Sequence, residues 1–492
     1  MVSPLKRFLS IILIVVSLTG CTAPTPAITP TPSATPLPTP ATTPTTSATP
    51  LPAPTQGSPG IGDPYYPNLG NGGYDIQHYT ITLDVDPPTN TITGSTTITA
   101  IAKEYLDSFN LDFHDLTVDS VSVDDTAAEF YRDEDELTIL PSSALDIDQK
   151  FSIAVTYHGS PQLFSSHSFP ARIGWSHAED GTINVMSEPD AASSWFPNNN
   201  HPRDKATYRF EITVPKPWVV AATGSLKETK ENNDKTTFIW EMDQPMATYL
   251  ASINIDHYDL VTQTGPNGVT IRNYFPTDYS LRFRFDILPE AITFFEDLFG
   301  SYPFDEYGVV IASASGLCAT ASEALEAQTM SVHCPNTSMA TEDVIVHELA
   351  HQWFGDSVSL NNWQDIWLKE GFATYSSWLW VSKNDPAEMK RIAKEQRSSL
   401  FDNPDYSVAE PSKNNLYSDE SYTGGALVLQ ALRQQVGDET FFKILQTYAE
   451  RYRYNTAGTK DFISVAEEIS NQDLKSFFDA WVFGKKVPKL PE

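Results

Sequence analysis

Apolar and polar residues alternate along most of the chain between residues 74 and 265. In the stretch HYTITLDVD, Tyr79, Ile81 and Leu83 are separated by polar residues, and similar stretches follow between Gly, Pro, Asn and Asp residues. Successive side chains of a β-strand point to opposite faces, so this pattern indicates strands with one buried face. We therefore predict an antiparallel β-sandwich or saddle-shaped sheet for this part of the chain.

The pattern changes to helical spacing after about residue 280, where apolar residues recur every three or four positions. Gly300 ends one such stretch at the position of a C-cap, and Thr459 is predicted as the N-cap of another helix. Further helices are predicted around residues 341–355, 367–382, 387–400, 422–436, 438–453, 459–470 and 473–483. The predicted fold is therefore α+β and multidomain, with a β-domain at residues 61–265 and a mainly helical domain at residues 266–492.

Two segments precede these domains. An apolar run of about eleven residues, FLSIILIVVSL, follows Lys6 and Arg7 and is too short to cross a membrane as a helix. We interpret residues 1–20 as a signal peptide. Its end, LTGC, resembles the cleavage box of bacterial lipoproteins and makes Cys21 the lipid-bearing N-terminus, the alternative being a plain secretory signal. The Pro- and Thr-rich residues 21–60 predict a disordered tether.

Charge and cysteine content narrow the possible partners and the compartment. The formal net charge is −31, from 63 acidic and 32 basic residues, which repels nucleic acids and anionic membrane surfaces. We expect no nucleic-acid partner and membrane contact only through the lipid on Cys21, with the folded domains outside the cytoplasm. The remaining cysteines, Cys318 and Cys334, favour a disulfide in that compartment, and two free thiols are the alternative.

The stretch EDVIVHELAHQWFGD carries the clearest chemical signal. His347 and His351 are four residues apart, so a helix places them one turn apart on one face, where both can bind a metal ion. Glu348 then lies within reach of a water molecule that it could activate. A catalytic zinc needs a third protein ligand, which Glu370 in the next predicted helix supplies. We predict one zinc ion per chain; histidines buried for packing alone are the alternative.

The motifs HELAHQWFGD and WLKEGFA closely resemble those of zinc aminopeptidases of the aminopeptidase N type, the gluzincin group. The resemblance covers nearly all of residues 74–485. It implies a β-saddle followed by a thermolysin-like catalytic domain, and hydrolysis of the N-terminal residue from peptide substrates with a free N-terminus. It also leads us to expect that the large helical C-terminal domain of longer relatives is missing.

The resemblance implies two carboxylates that bind the substrate's α-ammonium. The family uses a glutamate in a Gly-Ala-Met-Glu-Asn strand, and Glu326 in the stretch ASEALEAQ matches it. Glu323 stands where the family has glycine, so it is the alternative anchor. Glu188, eight residues before the dipeptide Phe196-Pro197, matches the second anchor of relatives.

The resemblance assigns further roles around the zinc. Glu348 acts as the general base, and Tyr422 stabilises the oxyanion although the lysine that follows in the family is Gly424 here. Tyr417 is the competing tyrosine. Asp365 is expected to orient a ligand histidine. A zinc endopeptidase, which needs no amine anchors, and an inactive surface-binding module remain the alternatives.

Overall fold

The computed structural model describes residues 55–490, except residues 167, 316, 321–323 and 401–405. Cys21, the predicted signal peptide and most of the predicted tether therefore lie outside the described residues, as does Glu323. Within the described ranges, no helix combines the length and the apolar character needed to cross a membrane.

The largest sheet has eight strands, and the alternating pattern of the sequence forms its buried face. Tyr79, Ile81 and Leu83 are fully buried. Its strand pairs are antiparallel except that Tyr74–Asp86 runs parallel to Ala206–Pro215. In spatial order the strands are Ser225–Asn232, Lys235–Met246, Ala206–Pro215, Tyr74–Asp86, Thr91–Ala102, Lys150–Gly159, Thr117–Val123 and Thr126–Ala127.

Two smaller sheets complete the β-rich half. The four-stranded one contains Thr55–Gln56, Leu106–Asp112, Glu136–Leu140 and Glu129–Asp133. The five-stranded one contains Leu163–Ser165, Arg172–His177, Ile183–Met186, Ile253–Asp256 and Val219–Ala222. Thr55 and Gln56 were predicted to belong to the tether. They pair with the strand that begins at Leu106, so they are part of the folded body and the prediction is wrong for these residues.

Another five-stranded sheet leads into the helical half. Its strands in spatial order are Tyr258–Thr264, Thr270–Pro276, Glu306–Ile311, Ser331–His333 and Ala324–Leu325. The predicted boundary at residue 265 falls in the turn between its first two strands, which pair antiparallel. A two-stranded sheet, Val358–Leu360 with Asn455–Ala457, lies further along the chain.

The C-terminal half is mainly helical, as the three- and four-residue spacing predicted. Its α-helices are α1 Leu288–Phe299, α2 Leu317–Thr320, α3 Glu342–His351, α4 Trp367–Val381, α5 Pro386–Leu400, α6 Gly425–Val436, α7 Asp438–Arg451, α8 Thr459–Ser470 and α9 Lys475–Trp481. Short 3-10 helices occur in both halves of the chain and are Pro87–Thr89, Ala191–Ser194, Thr248–Leu250, Pro266–Gly268, Arg282–Ile287 and Trp363–Asp365. Gly300 caps α1 as predicted: its φ is 93° and its N–H donates to the Glu296 carbonyl.

Helix α4 packs against α6 through two glycines. A β-carbon built on Gly371 would lie only 2.6 Å from Cα of Gly425, so the two backbones are in direct contact. Only glycine permits so close an approach at this position. The contact fixes the start of α4, which carries Glu370, relative to α6.

Residues 57–73, which we call the entry segment, contact the helical half although they precede the first long strand. The Asp63 carboxylate accepts a hydrogen bond from the Trp363 N–H at 2.9 Å. The Tyr65 hydroxyl donates to the Pro411 carbonyl at 2.8 Å. The entry segment therefore ties loops on both sides of α4 and α5 to the β-rich half.

Candidate active site

Helices α3 and α4 bring the three predicted metal ligands together. The rings of His347 and His351 lie on one face of α3 with centroids 4.8 Å apart. From the first turn of α4, Glu370 Oε2 lies 3.4 Å from His347 Nε2 and 3.5 Å from His351 Nε2. One potential ligand atom from each residue therefore faces the same small volume.

The hydrogen bonds around these ligands fit a bound cation. His351 Nδ1 lies 3.1 Å from the Phe354 carbonyl oxygen, which can only accept, so this nitrogen carries the proton. Its Nε2 then presents a lone pair towards Glu370. Glu370 Oε2 is buried and has no hydrogen-bond donor among the residues described. Two imidazoles and one carboxylate form the ligand set of a catalytic zinc site, and these three residues fit it.

Glu348 faces the same space. A carboxylate oxygen of Glu348 lies within 4.8 Å of ligand atoms of Glu326 and His351. The residue is buried, and this burial, together with the charges of Glu326 and Glu370, raises its pKa well above the usual range. A carboxylate that faces the space between the predicted metal ligands is placed to exchange a proton with a water molecule there.

Lys369 is a site residue that the sequence reasoning missed. Its side chain is fully buried and its ammonium is ion-paired with Glu188, with Glu326 at 2.5 Å and with Glu370 at 3.0 Å. The available signal was a lysine directly before the predicted ligand in the apolar stretch WLKEGFA. The structure therefore brings both predicted amine anchors, Glu188 and Glu326, to one ammonium beside the metal ligands.

The charges of this cluster shift the pKa values of its members in different directions. Burial alone would lower the pKa of Lys369, but Glu188, Glu326 and Glu370 raise it well above its ordinary value. Burial raises the pKa of Glu188 well above the usual range, and the charge of Glu326 adds to this effect. Burial raises the pKa of Glu326, but the charges of Lys369 and His351, together with the hydrogen bond of Lys369, lower it below its ordinary value.

Main-chain contacts hold Glu326 in place. The strand Ala324–Leu325 pairs antiparallel with the strand Ser331–His333. Gln352, one residue after α3, donates from Nε2 to the Glu326 carbonyl at 3.0 Å, and its Oε1 accepts from the Thr329 N–H at 2.8 Å. Gln352 lies in the HELAHQWFGD motif but was not predicted as a site residue. It couples the segment that carries Glu326 directly to the end of α3, which carries the predicted metal ligands His347 and His351.

The disulfide predicted between Cys318 and Cys334 is present, with Cα atoms 5.4 Å apart. Cys334 directly follows the strand Ser331–His333, which pairs with the strand before Glu326. The disulfide therefore closes a covalent loop that contains Glu326.

Tyr422 and Tyr417 both line a small cavity at the site. Tyr422 lies in the π-helical turn Glu420–Gly424 before α6, and its ring stacks on that of His347 with centroids 5.9 Å apart. Burial and the charge of Glu370 raise the pKa of Tyr422 well above the usual range. Its hydroxyl therefore stays protonated and can donate a hydrogen bond. The cavity is lined by Phe169, Ile173, Met186, Glu188, Ala324, Leu325, Tyr417 and Tyr422.

The expected role of Asp365 is corrected by its hydrogen bonds. Asp365 Oδ1 accepts from the Thr459 hydroxyl at 2.6 Å and from the Thr459 N–H at 3.1 Å. Its carboxylate therefore holds the start of α8, and no hydrogen bond to a ligand histidine is found within the described ranges.

The prediction that Thr459 is the N-cap of a helix is wrong by one residue. Thr459 is the first residue of α8, and Gly458 is the cap.

Comparisons with known proteins agree with this geometry. Residues 76–250 match the Peptidase M1 N-terminal domain, and residues 283–481 match the Peptidase family M1 domain, together more than half of the chain. The chain is 28% identical over 342 residues to the glutamyl aminopeptidase of Sus scrofa, covering 64% of this chain and 36% of that protein. It is 26% identical over 447 residues to aminopeptidase N of Lactococcus lactis subsp. lactis, covering 82% of this chain and 50% of that protein. The chain thus spans about a third to a half of the length of these curated relatives.

Solved structures are similar over a larger part of their length. The M1 zinc metallopeptidase of Deinococcus radiodurans is 28% identical, with a TM-score of 0.79, over 88% of this chain and 99% of that one. A mutant of that protein, bound to a Tyr-Ser-Ala substrate, gives a TM-score of 0.80 over the same shares. An arrangement of a β-rich domain followed by a helical metallopeptidase domain is therefore common to these chains.

Proposed function

Because the chain belongs to peptidase family M1, we propose that it is a zinc-dependent aminopeptidase that hydrolyses the N-terminal residue from peptides. The observation that carries this proposal is that Glu188 and Glu326 already hold an ammonium, that of Lys369, beside the zinc ligands. Carboxylates that hold one ammonium suit the ammonium of a free peptide N-terminus as well. Such an anchor next to the metal limits cleavage to the first peptide bond.

The proposed mechanism assigns one task to each side chain. Zinc held by His347, His351 and Glu370 would polarise the scissile carbonyl and acidify the attacking water. Glu348 takes the proton of this water and transfers it to the leaving amine nitrogen.

Tyr422 and the two amine anchors complete the proposed machinery. The neutral phenol of Tyr422 donates a hydrogen bond to the oxyanion that develops on the carbonyl oxygen. Glu188 and Glu326 fix the α-ammonium and thereby align the first peptide bond with Glu348.

The cavity beside Glu188 suggests the preferred N-terminal side chain. Its lining includes Phe169, Ile173, Met186 and Leu325, all apolar. An apolar side chain gains free energy from burial there, whereas a charged one loses its hydration. We expect aminoacyl substrates with a leucine or methionine residue to be cleaved faster than those with an aspartate or lysine residue.

A panel of fluorogenic aminoacyl substrates tests the proposal. Wild type should cleave substrates with a free amine, lose activity with a chelator and regain it with zinc, and metal analysis should find one zinc per chain. Glu326→Gln, which keeps the side-chain size but removes the charge, should raise KM for free-amine substrates. Cleavage that resists the chelator would contradict the zinc mechanism.

The same panel separates the two alternatives. Equal cleavage of N-acetylated and free substrates, together with an unchanged KM in Glu326→Gln, would indicate an endopeptidase. A zinc-containing protein that cleaves neither kind would indicate an inactive binding module.

We also propose that the protein is a lipoprotein anchored outside the cytoplasm through Cys21. The apolar run, the LTGC sequence and the Pro- and Thr-rich tether support this. Cells fed with a clickable palmitate analogue should label the wild-type protein and not Cys21→Ser. Equal labelling of both forms would contradict the proposal.

A further inference from the structure

Lys369 occupies the place that the proposed function reserves for the substrate's α-ammonium. Its Nζ contacts carboxylate oxygens of Glu188, Glu326 and Glu370, and the side chain is completely shielded from solvent. The ammonium donates a hydrogen bond to Glu188, and its contacts with Glu326 and Glu370 are ion pairs. The lysine therefore already compensates the charges of Glu188 and Glu326 at this point.

We infer, on the basis of the proposed function, that Lys369 is an internal competitor for the amine site and determines which ligands enter it. A free N-terminus must displace the lysine ammonium, because two cations at the same buried carboxylates repel each other strongly. A neutral ligand that displaced it would leave Glu188 and Glu326 buried without a counter-ion, which is costly. Lys369 therefore weakens binding of a free amine by the cost of its own displacement, whereas a neutral ligand, which gains no ion pair in return, does not displace it.

The structure contains a second place for the displaced ammonium. Lys369 Nζ lies 5.5 Å from the ring centroid of Tyr249, whose hydroxyl is buried without a partner among the described residues. The Asp356 carboxylate interacts electrostatically with both Tyr249 and Lys369. It is fully buried, and neither of its oxygens has a hydrogen-bond donor in the part of the chain that the structure describes.

A neighbouring lysine does not neutralise this carboxylate by direct contact. Lys205 Nζ donates to the main-chain carbonyls of Asp356 and Ser357, at 2.7 and 3.1 Å. The side chain of Asp356 thus offers a second counter-ion for Lys369. Pairing there would compensate part of the cost of leaving Glu188 and Glu326.

The inference is tested by a calorimetric titration that measures binding of n-butylammonium to the full chain in the absence of peptide. Lys369→Met keeps the side-chain length and removes the cation. If Lys369 occupies the amine site in about nine-tenths of the wild-type molecules, the apparent affinity for n-butylammonium is about tenfold weaker than that of an open site. We therefore expect Lys369→Met to bind n-butylammonium at least about tenfold more tightly than wild type. Lys369→Arg keeps the cation and should bind as weakly as wild type. n-Butanol, which lacks the charge, should show no such gain.

Thermal stability gives a second measurement on the same variants. Lys369→Met leaves buried carboxylates without their counter-ion, so its Tm should fall, and n-butylammonium should restore it towards that of wild type. Lys205→Met is the matched control, since it also removes a lysine near this cluster. Its Tm should not be restored by n-butylammonium, because its lost contacts are with main-chain carbonyls.

Equal or weaker binding of n-butylammonium by Lys369→Met, without restoration of its Tm, would overturn the inference. If Lys369→Met does not fold, Asp356→Asn replaces it. This variant removes the second counter-ion and should weaken n-butylammonium binding severalfold, and unchanged binding would overturn the inference.

These measurements are independent of peptide hydrolysis. Tighter amine binding by Lys369→Met in a protein that cleaves no peptide would refute the proposed function and leave the inference standing. With an active enzyme, Lys369→Met should lower KM for free-amine substrates more than it changes kcat. An active enzyme whose KM and amine affinity are both unaffected by Lys369→Met would refute the inference alone.

Discussion

Gly371 follows the proposed zinc ligand Glu370, and its replacement by alanine tests how helix packing supports the site. The added methyl group would lie 2.6 Å from Cα of Gly425. Optimal carbon contacts are about 3.5–4.0 Å, so the helices must separate by about 1 Å. The β-carbon has a fixed position on its own backbone and the atom that it meets is a backbone atom, so no rotamer change relieves the clash. Alanine gains about 1 kcal/mol over glycine in a helix, whereas overpacking costs about 1–3 kcal/mol.

Because clashes between backbones lie at the upper end of that cost, we expect Gly371→Ala to lower the free energy of unfolding by about 1–2 kcal/mol in urea denaturation. The shift of α4 should also displace Glu370 and weaken zinc binding in a chelator competition. Gly424→Ala is the control, since its β-carbon would meet side chains of Val408 and Tyr406 at 3.1 and 3.3 Å, which can move. A Gly371→Ala protein as stable as wild type, or one that loses no more than Gly424→Ala, would refute the reasoning.

Three further predictions follow from the charges and cross-links of the fold. Glu348→Gln keeps the shape but accepts no proton, so kcat should fall by about 10²–10⁴-fold while metal analysis shows unchanged zinc; nearly normal turnover would contradict its role. Replacing Cys318 and Cys334 by serine should lower the free energy of unfolding in urea by about 3 kcal/mol, a typical value for a loop of this size. It should also raise KM, because Glu326 lies in that loop. An unchanged KM would show that the disulfide does not support the substrate site. Burial raises the pKa of Asp204 to about 7, so the folded state binds this proton more tightly than the unfolded state. The stability of wild type relative to Asp204→Asn should therefore decline as pH rises from about 4 to about 7, and parallel pH profiles would contradict this.

Local periodicity made the elements predictable and placed two of the proposed metal ligands on one face of a helix. His347 and His351 needed only helical spacing, and the strand at Tyr74–Asp86 needed only alternation. Its parallel pairing with Ala206–Pro215 was not predictable, because pairing between strands so distant in sequence leaves no local pattern. The alternation gives the faces of each strand but not its neighbours.

The charge cluster was harder to predict than the ligands. Lys369 is next to Glu370 in sequence, but its partner Glu188 is 181 residues away, and adjacent helical residues point in directions about 100° apart. Lys369 was missed, whereas Asp365 was assigned a role at the site that it does not have. Its position near the ligands suggested a contact with a histidine, whereas Thr459 in a later helix binds its carboxylate.

The entry segment has a consequence for the order in which the protein folds during synthesis. Tyr65 is synthesised 346 residues before its partner Pro411. Asp63 is synthesised 300 residues before its partner Trp363. At about 5–20 residues per second, this separation lasts on the order of tens of seconds. During that interval the Tyr65 hydroxyl and the Asp63 carboxylate lack these two partners. The β-rich half is thus made first, but the residues at its start reach their native contacts only after most of the catalytic half has been synthesised.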